Sequence, residues 1–201
     1  MKRTLFALMF ALLALTACGE KVGGPTPSAQ AAQFQNTDVT GLGYAQDFAL
    51  TDHNGKPRTL ADFKGKAVVM FFGYTQCPDV CPTTMAEMAS VMQELGPLAD
   101  KVQVLFVTLD PERDTQQLLA QYVPAFDSRF LGLYGDRAAT EKVAKEFKVF
   151  YQKVPGKEPG SYTLDHTAGS YVFDPQGRIR LFVRHGQGPD PIAHDLKLLL
   201  S

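Results

Sequence analysis

Two long apolar runs constrain the fold of this chain more than any other sequence feature. Residues 67–72 read AVVMFF and residues 102–109 read VQVLFVTL, and both runs are rich in strand-forming residues. Runs of this kind are typical of central strands that are buried on both faces of a sheet. A helix is predicted over residues 82–95, between the two runs, so the core of the fold is expected to combine strands with helices.

The remaining patterns extend this arrangement to an α/β domain with a mixed sheet. Asn54-Gly55 is a hairpin turn signal, and the tetrapeptide DPQG at residues 174–177 is a second turn signal between two strands. We predict further strands over residues 47–51, 169–173 and 178–183, and further helices over residues 114–124, 136–148 and 189–200. A length of 201 residues suits one such domain with an N-terminal extension.

Residues 1–17 have the pattern of a lipoprotein signal peptide. Lys2 and Arg3 precede an unbroken apolar run over residues 5–15, which is shorter than the ~20 residues that a membrane-spanning helix needs. The run ends in Leu-Thr-Ala followed by Cys18, and this ending resembles a bacterial lipobox. Cys18 is therefore expected to be lipidated; an ordinary signal peptide that happens to contain a cysteine is the alternative. The expected location is the bacterial cell envelope, with a lipid anchor in a membrane and the domain facing the periplasm or the cell exterior.

Residues 18–44 are predicted to be a flexible tether from the lipidated cysteine to a folded domain over residues 45–201. The tether is rich in Gly, Pro, Gln, Ala, Ser and Thr, and it shows neither a helical nor a strand period. The formal net charge of the chain is −1 and its pI is about 6.4. This balance argues against a nucleic-acid partner, which normally requires a basic surface.

The two cysteines of the predicted domain, Cys77 and Cys81, lie where a buried strand leads through a turn into a helix. A helix N-terminus stabilises thiolate, which is the form that attacks disulfides and binds metals, so a lowered pKa is expected. Residues at i and i+4 of a helix are about 5–6 Å apart at Cβ, which suits a metal better than a disulfide. Because Pro82 cannot donate a backbone hydrogen bond, an irregular turn that allows a Cys77–Cys81 disulfide stays open. A metal chelate, a redox pair and a structural disulfide are all considered.

A metal would need a third ligand, and His166 is the best candidate among four histidines. It is predicted to lie in a loop just before the strand 169–173, from which it can approach the cysteines. His53, His185 and His194 are interpreted as structural or surface residues. Two thiolates and an imidazole suit copper, as Cu(I) or Cu(II), whereas structural zinc prefers four protein ligands.

Two acidic residues are expected to support this site. Asp165 is adjacent to His166 and could orient it, and Asp110 follows the second buried strand at an edge where clefts form. A turn or capping role is the alternative for both residues. Met85, Met88 and Met92 recur at helical spacing after the cysteines, and we interpret them as core residues, although thioethers also bind copper.

These motifs together resemble the Sco (SenC) family. The resemblance rests on residues 72–84 (FGYTQCPDVCPTT), residues 110–115 (DPERDT), residues 165–167 (DHT) before a strand, and the PxG turn at residues 175–177. It implies a thioredoxin-like fold, with a mixed central sheet flanked by helices. It also implies that Cys77, Cys81 and His166 bind copper. The segment 167–170 contains no proline where thioredoxin-like reductases generally place one, and this departure weakens a general reductase reading.

The resemblance implies a copper metallochaperone that assembles the binuclear copper site of cytochrome c oxidase. The expected partners are the copper-site subunit of the oxidase, a copper donor chaperone, a thioredoxin-like reductase that keeps the thiols reduced, and the membrane. A thiol-disulfide reductase that acts on the oxidase cysteines or in envelope redox defence is the main alternative. Peroxidase activity and a passive domain with a structural disulfide are further alternatives.

Overall fold

The computed structural model describes residues 33–201. The predicted signal peptide, the predicted lipidation site Cys18 and most of the predicted tether lie outside these residues. The described part of the chain is an α/β fold with ten strands and four α-helices. None of the helices within residues 33–201 is both long enough and apolar enough to cross a membrane.

Eight strands form one mixed sheet and two strands form a separate hairpin. The strands are β1 (Thr37–Asp38), β2 (Leu50–Asp52), β3 (Pro57–Arg58), β4 (Ala67–Gly73), β5 (Val102–Thr108), β6 (Leu131–Tyr134), β7 (Tyr151–Pro155), β8 (Tyr162–His166), β9 (Gly169–Phe173) and β10 (Ile179–Arg184). The helices are α1 (Val80–Leu95), α2 (Gln116–Tyr122), α3 (Arg137–Glu146) and α4 (Pro189–Leu199).

The strand order of the sheet is β1-β10-β9-β4-β5-β6-β2-β3. The central strands β4, β5 and β6 are parallel, whereas β9 and β10 pair antiparallel on one side and β2 and β3 on the other. Every residue of β4 and β5 is buried, as the two apolar runs predict. Because parallel strands end at the same edge, the loops that follow β4 and β5 lie side by side.

The core confirms the interpretation of the methionines on α1. Met85, Met88 and Met92 are each at most 2% exposed and pack within the hydrophobic core. Helix α1 also contacts α4. The methionine thioethers therefore fill space between the helices and the sheet.

Two sequence expectations about strands are corrected by the structure. Strand β6 and the hairpin of β7 and β8 were not predicted, because β6 is short and the hairpin is mostly exposed and lacks an alternating apolar face. His166 consequently lies at the end of β8, where it pairs with Tyr151, and not in a loop. The predicted Asn54-Gly55 and DPQG turns are both present, with Gly55 and Gly177 at positive φ.

The predicted tether boundary at residue 44 is also too late in the chain. Thr37 and Asp38 form β1 against β10, and Asn36 is buried. Two backbone N–H groups, those of Gln35 and Asn36, donate to the Asp195 carboxylate on α4 at 2.9 and 2.8 Å. A buried carboxylate and a strand ladder attach this segment to the domain, together with a few apolar side chains (Phe34, Val39 and Tyr44) that pack on the core without a regular period.

We expect Asp195→Asn to destabilise the domain by about 1–3 kcal/mol at pH 7. Burial by itself raises the pKa of Asp195, but hydrogen bonds from Gln35, His194 and Asn36 outweigh burial and hold the pKa below its ordinary value. This contribution is present above the unfolded pKa, near ~3.9, and is lost as pH falls through the lower folded pKa. Urea unfolding at pH 7 and at pH 3 measures it. A variant as stable as the wild type at pH 7 would contradict the expectation.

Candidate metal centre

The cysteines are carried by the turn that connects β4 to α1. The carbonyl of Gly73, the last residue of β4, accepts a hydrogen bond of 2.7 Å from the Leu109 N–H, and the Cys77 N–H donates to the Tyr74 carbonyl at 3.2 Å. Helix α1 begins at Val80, so Cys81 lies in its first turn. The helix was predicted to begin at Pro82; it starts two residues earlier because the first N–H groups of a helix need no internal partner, and proline is tolerated there.

Gly73 is required at its position by the close approach of the cysteine. A Cβ atom at residue 73 would lie 2.6 Å from Cys81 Sγ and 2.9 Å from Phe106 Cε2. Both distances are far below a normal van der Waals contact. The Cys81 thiol therefore packs directly on the backbone at the end of β4, and only glycine leaves room for it.

The two cysteines differ in their exposure. Cys81 is 1% exposed, whereas Cys77 is half-buried, and both are free thiols in the structure. Burial raises the pKa of Cys81, and the neighbouring Cys77 raises it further. The direction for Cys81 is thus opposite to the lowered pKa that its place at the helix N-terminus predicts, because burial of the thiol is the largest effect on its pKa. The Cys77–Cys81 disulfide stays a prediction for the oxidised protein.

His166 lies beside the buried cysteine. Its Nε2 atom is 3.9 Å from Cys81 Sγ, and its ring stands edge-on to the Tyr74 ring at a centroid distance of 6.1 Å. The Nδ1 atom is 3.0 Å from the Thr167 carbonyl oxygen, which can only accept. Nδ1 therefore donates to this carbonyl, and Nε2 is the ring nitrogen that faces the thiol.

The structure thus brings His166 to Cys81, with Cys77 as the neighbour of Cys81. Within residues 33–201, no three His, Cys, Asp or Glu side chains are arranged as a closed site for one ion. The half-exposed Cys77 side chain is the group that would have to approach the other two. This arrangement can hold one soft metal ion with two sulfurs and one imidazole, or can form a disulfide.

The two acidic residues proposed as supports do not contact the candidate ligands. Asp165 is exposed, and the group that orients the His166 ring is the backbone carbonyl of Thr167. Asp110 is buried, where it accepts a hydrogen bond of 2.8 Å from the Tyr162 hydroxyl and forms an ion pair with Arg113. Its position at the end of β5 is as predicted, but its effect on the site is indirect.

Sequence reasoning missed Asp114, which fastens the cysteine turn to the sheet. Asp114 is 1% exposed and accepts hydrogen bonds from the Thr75 N–H at 3.0 Å, the Thr75 hydroxyl at 2.6 Å and the Thr108 hydroxyl at 2.6 Å. Burial raises the pKa of this carboxyl group. The only signal in the sequence is the DPERDT motif, which predicts that Asp114 or Thr115 caps the next helix. Thr115 performs that role, since its hydroxyl accepts from the Leu118 N–H.

The other three histidines lie outside the candidate ligand set. His53 precedes the Asn54-Gly55 turn, a position that predicts a solvated hairpin residue, but it is buried and its Nδ1 accepts a hydrogen bond of 3.0 Å from the Gly132 N–H. His194 contacts Asp195 on α4 at 2.9 Å. His185 is exposed and shares a small cleft with Cys81 and His166, where its Nδ1 atom is 3.2 Å from the Thr84 hydroxyl.

The fold and the motifs match known proteins. The sequence model of the family described as SCO1/SenC matches residues 37–201. Protein SCO2 homolog, mitochondrial, of Bos taurus is 36% identical over 153 residues. The aligned region covers 75% of this chain and 58% of the bovine protein, so the chain spans less than two thirds of that relative's length.

Two solved structures are similar in both fold and sequence. Bradyrhizobium japonicum ScoI with copper bound has a TM-score of 0.69 and 45% identity, with 75% of this chain and 96% of that chain covered. The apo Sco1 protein from Thermus thermophilus has a TM-score of 0.75 and 39% identity, with 85% and 99% covered. The mixed sheet with flanking helices is therefore the thioredoxin-like fold of these proteins. By the family match and these similarities, the chain belongs to the SCO1/SenC family.

Proposed function

We propose that this protein is a copper metallochaperone that delivers copper to the binuclear site of cytochrome c oxidase. The observation that carries the proposal is the approach of an imidazole nitrogen to a buried thiol, His166 Nε2 to Cys81 Sγ at 3.9 Å. With Cys77 beside them, these groups form the ligand set that we assign to copper. The bacterial relative solved with copper bound supports this choice of metal.

The chemistry of the donors favours copper over other metals. Two thiolates are soft ligands that suit Cu(I), and an imidazole adds affinity for Cu(II). Copper would displace the proton of Cys81, whose burial opposes the free thiolate, so metal binding and deprotonation are coupled at this residue. The half-exposed Cys77 is the ligand that an acceptor can reach first, and this suits a protein that hands its metal on.

The expected partners follow from this role. The copper-site subunit of the oxidase accepts the metal, a copper donor chaperone supplies it, and a thioredoxin-like reductase keeps both cysteines reduced in an oxidising compartment. The proposed lipid on Cys18 holds the domain at a membrane in the bacterial envelope, so that donor and acceptor are reached in the same place. The alignment of the family over residues 37–201 leaves this anchor outside the family domain.

A thiol-disulfide reductase is the second candidate function, and one observation favours it. One half-buried and one fully buried free thiol lie next to each other at a helix start. In such a reaction the Cys77 thiolate would attack a disulfide of the oxidase subunit, and Cys81 would resolve the mixed disulfide. The products would be a Cys77–Cys81 disulfide and two substrate thiols.

The two functions are separated by His166→Ala with His185→Ala as the matched control. We expect the reduced wild type to bind one copper per chain, and His166→Ala to bind Cu(II) at least about 10–100-fold more weakly, because a ligand is removed. His185→Ala removes an imidazole from the same cleft and should bind copper as the wild type does. Anaerobic titration with Cu(II) and Cu(I), read by absorbance and stoichiometry, measures both variants.

Two results would count against the chaperone. Failure of the reduced wild type to take up copper would refute it outright. Full reduction of an oxidase-derived disulfide peptide by His166→Ala, together with unchanged copper affinity, would show that the imidazole has no part in metal binding and would favour the reductase.

A further inference from the structure

The loop between β5 and α2 carries an arginine that touches both halves of the candidate copper site. Arg113 is 20% exposed, and its guanidinium lies between the cysteine turn and the β7–β8 hairpin. Its Nη1 donates to Gln76 Oε1 at 3.0 Å and to the Tyr162 carbonyl at 2.9 Å, while its Nε donates to the Asp110 carboxylate. Gln76 immediately precedes Cys77, and Tyr162 begins the strand that ends at His166.

Aromatic rings add to the contacts by which Arg113 connects the cysteine turn to the hairpin. The Arg113 guanidinium lies 3.6 Å from the Tyr162 ring centroid and 5.7 Å from that of Tyr74, whose ring contacts the His166 ring. Tyr162 is itself held by its hydroxyl, which donates to Asp110. Lys153 on β7 adds a second link, because it pairs with Glu112 at 2.7 Å. These contacts join the 110–113 loop to the hairpin at several points.

We propose that Arg113 is a positioning residue that sets the separation between the cysteine turn and His166. The inference rests on the proposed copper site. The hairpin lies outside the eight-stranded sheet, and residues 167–168 connect its end to β9 of that sheet. The sheet therefore anchors only the end of β8, and contacts from the neighbouring loop hold the rest of the hairpin against the cysteine turn. Arg113 is tied to the sheet edge through Asp110 and reaches both elements. It acts through Gln76 and Tyr162 and would not touch the metal itself.

Only arginine can make this set of contacts. Its planar fork offers donors in fixed directions and a flat face that stacks on Tyr162, whereas lysine offers one mobile point charge. Arg113→Lys keeps the positive charge and removes the fork, so the pair of variants Arg113→Lys and Arg113→Gln separates positioning from a simple electrostatic effect on the thiols.

We expect Arg113→Lys and Arg113→Gln each to bind Cu(II) about tenfold more weakly than the wild type, the usual cost of losing a residue that orients a ligand. Cu(I) affinity should change much less, because two thiolates from one turn hold Cu(I) without the hairpin. The separation that Arg113 sets has no effect on Cu(II) once the imidazole is gone, so Arg113→Lys should cause no further loss of Cu(II) affinity in the His166→Ala background. The thiolate-to-Cu(II) absorption band should also shift in Arg113→Lys. Titrations with Cu(II) sulfate, and with Cu(I) against a competing chelator, measure these effects.

The controls keep this test apart from folding and from the proposed function. Arg129→Lys alters an exposed ion pair with Asp127 and should leave copper binding unchanged. Gln76→Ala removes one exposed arm of the bridge with little risk to the fold, and a smaller Cu(II) loss is expected. If the wild type itself bound no copper, the proposed function would fail. If the wild type binds copper, any of three results would overturn the positioning role. The first is wild-type Cu(II) affinity in folded Arg113→Lys. The second is an equal loss of Cu(I) and Cu(II) affinity in Arg113→Lys, and the third is a loss that adds to that of His166→Ala.

Discussion

Cys81→Ser is expected to reduce Cu(I) affinity by roughly 1000-fold or more, which corresponds to about 4 kcal/mol. Serine replaces a soft thiolate with a hard hydroxyl that does not ionise near neutral pH, so one of the two sulfurs is lost. Cys77→Ser removes the other sulfur and should have a loss of the same order. Competition with a chelator of known Cu(I) affinity under argon measures both variants.

Met88→Leu is the matched control for the cysteine variants. Met88 lines the same cleft as Cys81 and offers the one other kind of sulfur ligand, but it is 1% exposed and packs in the core. We expect the leucine variant to retain full Cu(I) affinity. If Cys81→Ser kept the wild-type Cu(I) affinity, or if Met88→Leu lost most of it, the assignment of the metal to the thiol pair would be refuted.

Asp114→Ala is expected to destabilise the domain by about 3 kcal/mol or more, because one buried and two partly buried hydrogen-bond donors lose their acceptor at once. The donors are the backbone and hydroxyl of Thr75 and the hydroxyl of Thr108. The carboxylate joins the start of the cysteine turn to the end of β5, so its loss should also loosen Cys77. Urea unfolding followed by circular dichroism gives the change in the free energy of unfolding.

Asp114→Asn tests whether geometry or charge matters at this position. The amide keeps one oxygen acceptor in nearly the same shape, so a clearly smaller loss than in the alanine variant is expected. Thr75→Val removes only the hydroxyl donor and should cost about 1 kcal/mol, which is the size of a single hydrogen bond. If Asp114→Ala unfolded at the wild-type urea concentration, the carboxylate would have no role in holding the turn.

Apolar patterns in the sequence were sufficient to predict the buried central strands. The apolar runs at residues 67–72 and 102–109 became the fully buried strands β4 and β5, and the predicted strand 169–173 is β9. Hydrophobic burial is a local property of such runs, so it can be read without knowledge of their neighbours. The hairpin of β7 and β8 has no such run, and its strands were therefore missed.

The sequence predicts the residues of the candidate site but not their surroundings. The CPDVC segment marks a chemically distinctive turn, and DHT marks a histidine near a strand, so the motifs identify Cys77, Cys81 and His166 as candidates. The burial and pKa of these side chains could not be predicted from the motifs. Burial of Cys81 raises its pKa where the helix position alone suggested a lowered pKa, and His53 is buried where its turn suggested solvent.

The sequence by itself determined the fold class, the order of its principal elements and the family, because these depend on patterns within short stretches. Only the tertiary structure decided which polar groups support the site. Asp114 bonds to Thr75 and Arg113 bonds to Gln76 across 39 and 37 residues of sequence. Such partners are chosen by the meeting of β4, β5 and the hairpin in space, and hydrogen bonds across that distance leave no period in the chain. Sequence motifs identify the two cysteines and the histidine, but the hydrogen bonds that hold their segments together exist only in the folded molecule.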